Sequence, residues 1–412
     1  MRTRTKTVLA MTVVLAAAVS GCATTSGSAS GGGGKADPIV LFSPIPLSGS
    51  RQYNETVAGE NAAAAAINAA GGIKGRPIEI KTCDSKSDPT QEAVCAQEIV
   101  TSKPVAVIAQ ATGRSTAVTD TTNENKIASI GGLGFGSTDA LRESVASFPL
   151  STGPTAPMAC PAGLGADGRN RLGAMVTDLA SGAVIAQAAE AATKAVPGTA
   201  WTKTVKVLPE ATDMAGLFQT MLDSQSNGVL FAGSVTQTIG LLQANNNRIG
   251  LCGADALTVD ALTKLGPIAN GWMIMSTTPP MDIVGQSGAD GAQFLKDMSA
   301  YQAASNSPYA AEGALRTTTL SGWLAVRAFQ QVAGKLDQIT SKSVFDAFTT
   351  TKNLSFPGLL PSPIDYTTFQ PIPAFARLFQ PQYTAYKWNA STKHFESTGT
   401  TVNLIDLLNK GK

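Results

Sequence analysis

From residue 38 onward the chain alternates between two hydrophobic periods. Ile39-Val40-Leu41-Phe42 is a short continuous apolar run, the pattern of a strand buried on both faces of a parallel sheet. The turn Pro46-Leu47-Ser48-Gly49 ends it, and residues 55–70 follow as an Ala-rich helix stopped by Gly71-Gly72. Ile78-Glu79-Ile80 is the next strand. Asp88-Pro89-Thr90-Gln91 then opens a helix: Asp88 caps, Pro89 suits the first turn, and Gln91 stands where a capping box wants it. A third strand covers 105–108, a helix starts near Ser115, and a fourth strand covers 127–130. This β-α-β-α-β-α-β order specifies a doubly wound α/β sheet.

A second series begins after the Pro/Gly-rich stretch 149–168. Its strands are expected at 171–177, 204–208, 228–232, 248–252 and 271–276, with helices at about 181–195, 213–225 and 236–246. Residues 288–350 read as mostly helical. The tail 374–396 alternates, with Tyr383 to Trp388 as one arm of a hairpin. No internal repeat is visible. A chain of 412 residues exceeds what one core usually supports, so two lobes are expected.

The first residues follow a different logic. Arg2, Arg4 and Lys6 precede an apolar run, Val8 to Val19, broken only by Thr12. That run is too short for a permanent membrane span and reads as a secretory signal. It ends in Val19-Ser20-Gly21-Cys22, which resembles the lipobox of bacterial lipoproteins, small residues before a cysteine that is lipidated and becomes the new N-terminus. An ordinary cleaved signal with a chance cysteine is the alternative. Residues 23–36 are rich in Gly and Ser and would form a flexible tether with a reach of roughly 20 Å. The expected location is the outer face of the cell membrane, anchored through Cys22.

Three of the 31 basic residues lie in the signal, which leaves 28 against 29 acidic residues in the rest of the chain. A balance of that kind gives no electrostatic footprint for nucleic acid. With Cys22 lipidated, Cys83, Cys95, Cys160 and Cys252 remain, an even number in an oxidising compartment. Three pairings are possible. Cys83–Cys95 with Cys160–Cys252 is preferred, because the first closes a short loop between a strand end and the next helix. Four free thiols are the alternative. Metal binding is not expected, because no CxxC pair exists.

Several motifs fail on inspection. Gly31 to Lys35 lacks the first glycine and the final Ser or Thr of a phosphate-binding loop. Gly132-Leu133-Gly134-Phe135-Gly136 has Ser137 where a dinucleotide fingerprint needs its last glycine. The only histidine is His394, in a surface hairpin, which argues against Ser-His-Asp and Cys-His catalysis. No cofactor is expected. The informative segment is Ala111 to Thr116, which leaves a strand end and opens a helix, where ligands of open α/β sheets sit. Its N–H groups with the Ser115 and Thr116 hydroxyls suit an anion such as a carboxylate; capping the helix is the equal alternative for both residues.

Pro46-Leu47-Ser48-Gly49, the stretch Asn68 to Ile78 (NAAGGIKGRPI), Asp84 and Asp88 to Ala93 (DPTQEA) together resemble extracytoplasmic solute-binding proteins of ABC importers, the branched-chain amino acid-binding family. The likeness continues weakly through Ser321 to Ala325 and Tyr386 to Asn389. It implies the type I periplasmic binding fold: two Rossmann-like lobes joined by a three-crossing hinge, with the ligand between them. Carried over, lobe 1 is 37–150 plus 279–355 and lobe 2 is 151–278 plus 356–412. The resemblance implies that Thr112, Gly113, Ser115 and Thr116 hold a ligand carboxylate and that Gly132, Gly134 and Phe135 add backbone contacts. Ser48 and Tyr53 join the expected set. In lobe 2, Asp255 stands near the acidic position that holds an α-ammonium, with capping of the segment 257–264 as its alternative role. An aromatic is missing where Asp178 to Gly182 stand, so that Asp178 and Ser181 take its place, and Gly233-Ser234 replaces a common tyrosine. These departures suit a bulkier ligand or another head group. The implied function is capture of a small polar, carboxylated solute for an ABC permease. A ligand-sensing receptor and an envelope hydrolase are the rivals.

Overall fold

The computed structural model describes residues 36–411 except 50–51, 113–114, 133–140, 143–145 and 152–154. The signal, Cys22, the tether, Gly113, Gly134 and Phe135 therefore lie outside the described residues. The first series folds as its apolar runs imply. Strand β1 (Ile39–Ile45) leads to helix α1 (Asn54–Ala69), β2 (Ile78–Asp84), α2 (Pro89–Ser102), β3 (Ala106–Ile108), α3 (Ala117–Glu124), β4 (Ser129–Ile130) and β5 (Ser147–Phe148). The strands form a parallel sheet in the order β2-β1-β3-β4-β5. Asp88 caps α2 as expected, accepting from Thr90 and Gln91 N–H, with Pro89 in the first turn.

The Pro/Gly-rich stretch holds a helix, α4 (Ala156–Ala166), that the pattern did not announce. Its residues 156–164 are all buried, so it has no polar face to create a helical period, and Pro161 sits inside it. Then come β6 (Arg171–Thr177), α5 (Ala180–Ala195), β7 (Ala200–Val207), α6 (Met214–Asp223), β8 (Gly228–Ala232), α7 (Val235–Asn245), β9 (Gly250–Gly253), α8 (Val259–Leu265) and β10 (Met273–Ser276). The chain next runs through α9 (Ala289–Ser305), α10 (Thr317–Ala333) and α11 (Ser341–Thr350), and ends in β11 (Gln382–Asn389), β12 (His394–Asn403) and α12 (Leu404–Lys410). The second sheet has the order β12-β11-β10-β9-β8-β6-β7. Strands β11 and β12 are the expected hairpin, antiparallel to each other and, through β11, to β10.

Helices α9 to α11 return to the first sheet and bury Phe294, Trp323, Phe329 and Phe348 against Ile39, Leu41 and Ile108. Phe356, Leu359, Leu360, Ile364 and Tyr366 bury in the same core, although they follow residue 355, where the chain was expected to leave it. α1 and α10 cross at Gly59 and Gly322. A Cβ on Gly59 would overlap the Thr319 carbonyl, and one on Gly322 would overlap the Thr56 carbonyl. Both disulfides form in the preferred pairing. Cys83–Cys95 links β2 to α2, and Cys160–Cys252 links α4 to β9, with Cα separations of 5.7 and 5.8 Å. Among the described residues no helix is long and apolar enough to cross a membrane.

Candidate functional site

The carboxyl ends of β1, β8, β9 and β10 open on one cleft of ≈ 420 Å³. The loop after β1 contributes Gly49, Gln52 and Tyr53; the loops after β8 and β9 contribute Gly233 to Thr236 and Ala254 to Ala256. Ser276 and Thr277 line it at the end of β10. The first turns of α1 and α10 complete the wall with Asn54, Glu55, Arg316, Thr317, Thr318 and Ser321. Strand ends are where open α/β sheets hold ligands, because helix N-termini and loop N–H groups converge there.

The Gly59–Gly322 crossing sets the charged wall. Glu55 and Thr318 each lie one turn before those glycines, so the close approach of the helices brings them together. Thr318 Oγ1 donates to Glu55 Oε1 at 2.8 Å, and Arg316 Nη1 lies 3.4 Å from the same oxygen. Glu55 is 4 % exposed, and its Oε2 accepts no hydrogen bond among the described residues. Arg316 Nε is buried without a partner among them. Across the cleft, Asp255 accepts through Oδ2 from Thr317 Oγ1, and its Oδ1 has no bond among the described residues. Burial pushes the Asp255 carboxyl up to about 6. The Thr317 hydrogen bond and the Arg316 charge pull it down, and the nearby Asp282 carboxylate adds to the rise. Asp282 is itself held by Phe395 N–H at 2.8 Å and lies 3.2 Å from His394 Nδ1.

A second, apolar pocket of ≈ 90 Å³ shares Gly233, Ala254 and Ala256 with the cleft. Its walls are Leu179, Ile185, Phe231, Trp272 and Phe375, with Ser181 and Gly182 at the start of α5. The small residues Ser181, Gly182 and Gly233 are part of its lining.

Of the expected ligand residues, Tyr53, Ser234 and Asp255 meet in the cleft, and Ser181 lines the annex. The other described ones are engaged elsewhere. Ser48 Oγ donates to Asp84 at 2.6 Å. Partial burial disfavours the Asp84 anion, yet hydrogen bonds from Ser48 Oγ and from Leu47, Lys86 and Ser48 N–H hold its carboxyl below the usual range. Thr112 accepts from Gln110, and Gly132 lies beside the same residue. Ser115 gives both its N–H and its hydroxyl to Glu92 Oε2, at 2.6 and 2.7 Å, so a carboxylate of the protein itself takes the donors expected to hold a solute. Thr116 donates to Asp120 at 2.6 Å. Asp178 pairs with Lys206 at the surface. The capping alternative for Asp255 does not hold, because Thr258 caps α8 through Ala261 N–H. Glu55 and Arg316 escaped the sequence reading. A charged residue opening each of two helices, Glu55 after Asn54 and Arg316 before the Thr317-Thr318-Thr319 run, was the available signal.

A hydroxyl-rich, charged cleft between the strand ends of two parallel-type sheets defines a solute-binding protein of the type I periplasmic binding fold. The model of the family described as periplasmic binding protein matches residues 44–380, and the chain belongs to that family. No curated protein matches. Among solved structures, a fatty acid ABC transporter substrate-binding protein from Thermomonospora curvata is similar at TM-score 0.70 and 17% identity, covering 90% of this chain and 94% of that one. An R. palustris ABC transporter solute binding protein in complex with 4-hydroxybenzoate scores 0.70 at 16% identity, covering 89% and 97%. A leucine binding protein from Thermotoga maritima scores 0.69 at 12% identity, covering 89% and 99%. These likenesses bear out the expected fold.

Proposed function

We propose that this chain is a lipid-anchored solute-binding protein that captures a small polar solute and delivers it to an ABC permease. The observation that carries this is the ≈ 420 Å³ cleft, walled on one side by Glu55, Arg316 and Thr318 and on the other by Ser234 and Asp255. Its walls come from two sheets that the chain crosses between, so rotation of one lobe against the other can close it. Lobe 1 comprises 37–150 and 279–355 and extends past Tyr366; the rest of the body is lobe 2. Cys22 holds the body at the outer face of the membrane. Binding, not turnover, is its task. The carboxylate expected at Ser115 loses its support, since Glu92 takes both donors of that residue.

A thermal-shift screen of amino acids, organic acids, amines and amides, followed by small-angle scattering, tests this. A solute at 100 times its dissociation constant should stabilise the protein by about 2.7 kcal/mol. The same solute should reduce the radius of gyration. Binding without compaction would remove the closure mechanism, and no binder in a broad screen would remove the function.

A further inference from the structure

The charge of the cleft and the shape of its annex narrow the solute. Three charged residues line the cleft among the described residues: Glu55, Asp255 and Arg316. The one cation among them, Arg316, has Nη1 3.4 Å from Glu55 Oε1, and its buried Nε has no partner among the described residues. The N-terminal turn of α10, which would otherwise favour an anion, has its hydroxyls committed: Thr317 donates to Asp255 and Thr318 to Glu55. What remains uncommitted on the carboxylates is one oxygen each, Glu55 Oε2 and Asp255 Oδ1. A carboxylate oxygen only accepts, so a solute meets these two with N–H donors. Glu55 is more than nine-tenths buried. A buried anion with an open oxygen is stabilised by a cation far more than by a neutral donor. Beside this head site, the annex offers Leu179, Ile185, Phe231, Trp272 and Phe375, and among the described residues no charged side chain lines it. It shares Gly233, Ala254 and Ala256 with the cleft, the two alanines on either side of Asp255 in the chain.

We propose that the cleft takes a solute with a cationic, N–H-bearing head between Glu55 and Asp255 and an apolar body in the annex. An organic amine has this form, and a carboxylate on the solute is not required. The inference rests on the solute-binding reading and specifies its ligand class.

The test is calorimetric titration of the purified mature protein with matched probes. Phenethylamine is compared with 3-phenylpropanoate, which carries the same ring with the opposite charge, and with ethylamine, which lacks the ring. Phenethylamine should bind at least tenfold more tightly than either. Asp255→Asn should weaken phenethylamine at least tenfold while leaving the unliganded melting temperature within a degree or two of wild type. Equal or tighter binding of 3-phenylpropanoate overturns the cationic head. Equal binding of ethylamine overturns the apolar annex. If none of the three binds while another solute from a broad screen does, the inference fails and the solute-binding function stands. If nothing in the screen binds, both fall. The comparison of probes on the wild-type protein keeps the inference falsifiable should Asp255→Asn unfold.

Discussion

Replacing Glu60 by Gln should make the protein more stable at neutral pH. Glu60 lies on α1 with 0 % exposure, between that helix and β1. Its Oε1 accepts from Ser43 Oγ at 2.8 Å, and its Oε2 has no partner among the described residues. Burial pushes its carboxyl up to about 8 from 4.5, against the opposing pull of the Ser43 hydrogen bond. The raised value means that the native state keeps a proton the unfolded chain releases. Stability from this group is therefore fully present below pH 4.5 and is lost as pH rises towards 8. At pH 7 the loss is about 3 kcal/mol. Gln can still accept from Ser43 and does not titrate. Denaturant unfolding of both proteins at pH 5, 6, 7 and 8 should show the mutant gaining on wild type across the series, by about 3 kcal/mol between the ends. A difference that stays constant with pH would refute the reasoning, because it would mean that Glu60 ionises normally in the folded protein.

Gly59→Ala should lower the melting temperature, with a loss of about 1–3 kcal/mol, although alanine favours a helix interior by ~1 kcal/mol; a more stable mutant would show that the helices are not in contact there. Removing Cys160–Cys252, which closes 92 residues, should cost roughly 4–5 kcal/mol against about 3 for Cys83–Cys95, which closes 12; denaturation of the two double alanine mutants gives the order, and the reverse order would count against loop closure as the source. Cys22→Ser should abolish acylation, and intact mass showing the same acylated N-terminus would end the lipoprotein reading. Phenethylamine affinity should fall about tenfold from pH 7 to pH 5, because the Asp255 proton, lost near pH 6, opposes a cation among Arg316, Asp282 and Glu55; a flat profile would place the amine away from Asp255.

Most strands of both sheets were legible because parallel strands buried on two faces read as unbroken apolar runs, as 228–232 does. Helix α4 was not, because a helix buried all round has no period and its prolines suggest a loop. The site divided along the same line. Tyr53, Ser234 and Asp255 follow strand ends and could be placed by topology alone. Glu55 and Arg316 depend on a pairing across 261 positions, which no local pattern records. Ser115 misled for a related reason: its carboxylate comes from Glu92, 23 residues earlier and on another helix.

The paired glycines of α1 and α10 have a consequence for how such a protein can change. A crowded contact between two helices can usually be relieved by shrinking one partner when the other grows. Here both partners are already the smallest residue, so neither can yield to the other. The distance between the two backbones is at its floor, and it is inherited as a unit with the register that seats Glu55 beside Thr318. Variation in what the cleft holds must then come from swapping side chains at its rim, with the spacing of the wall behind them fixed.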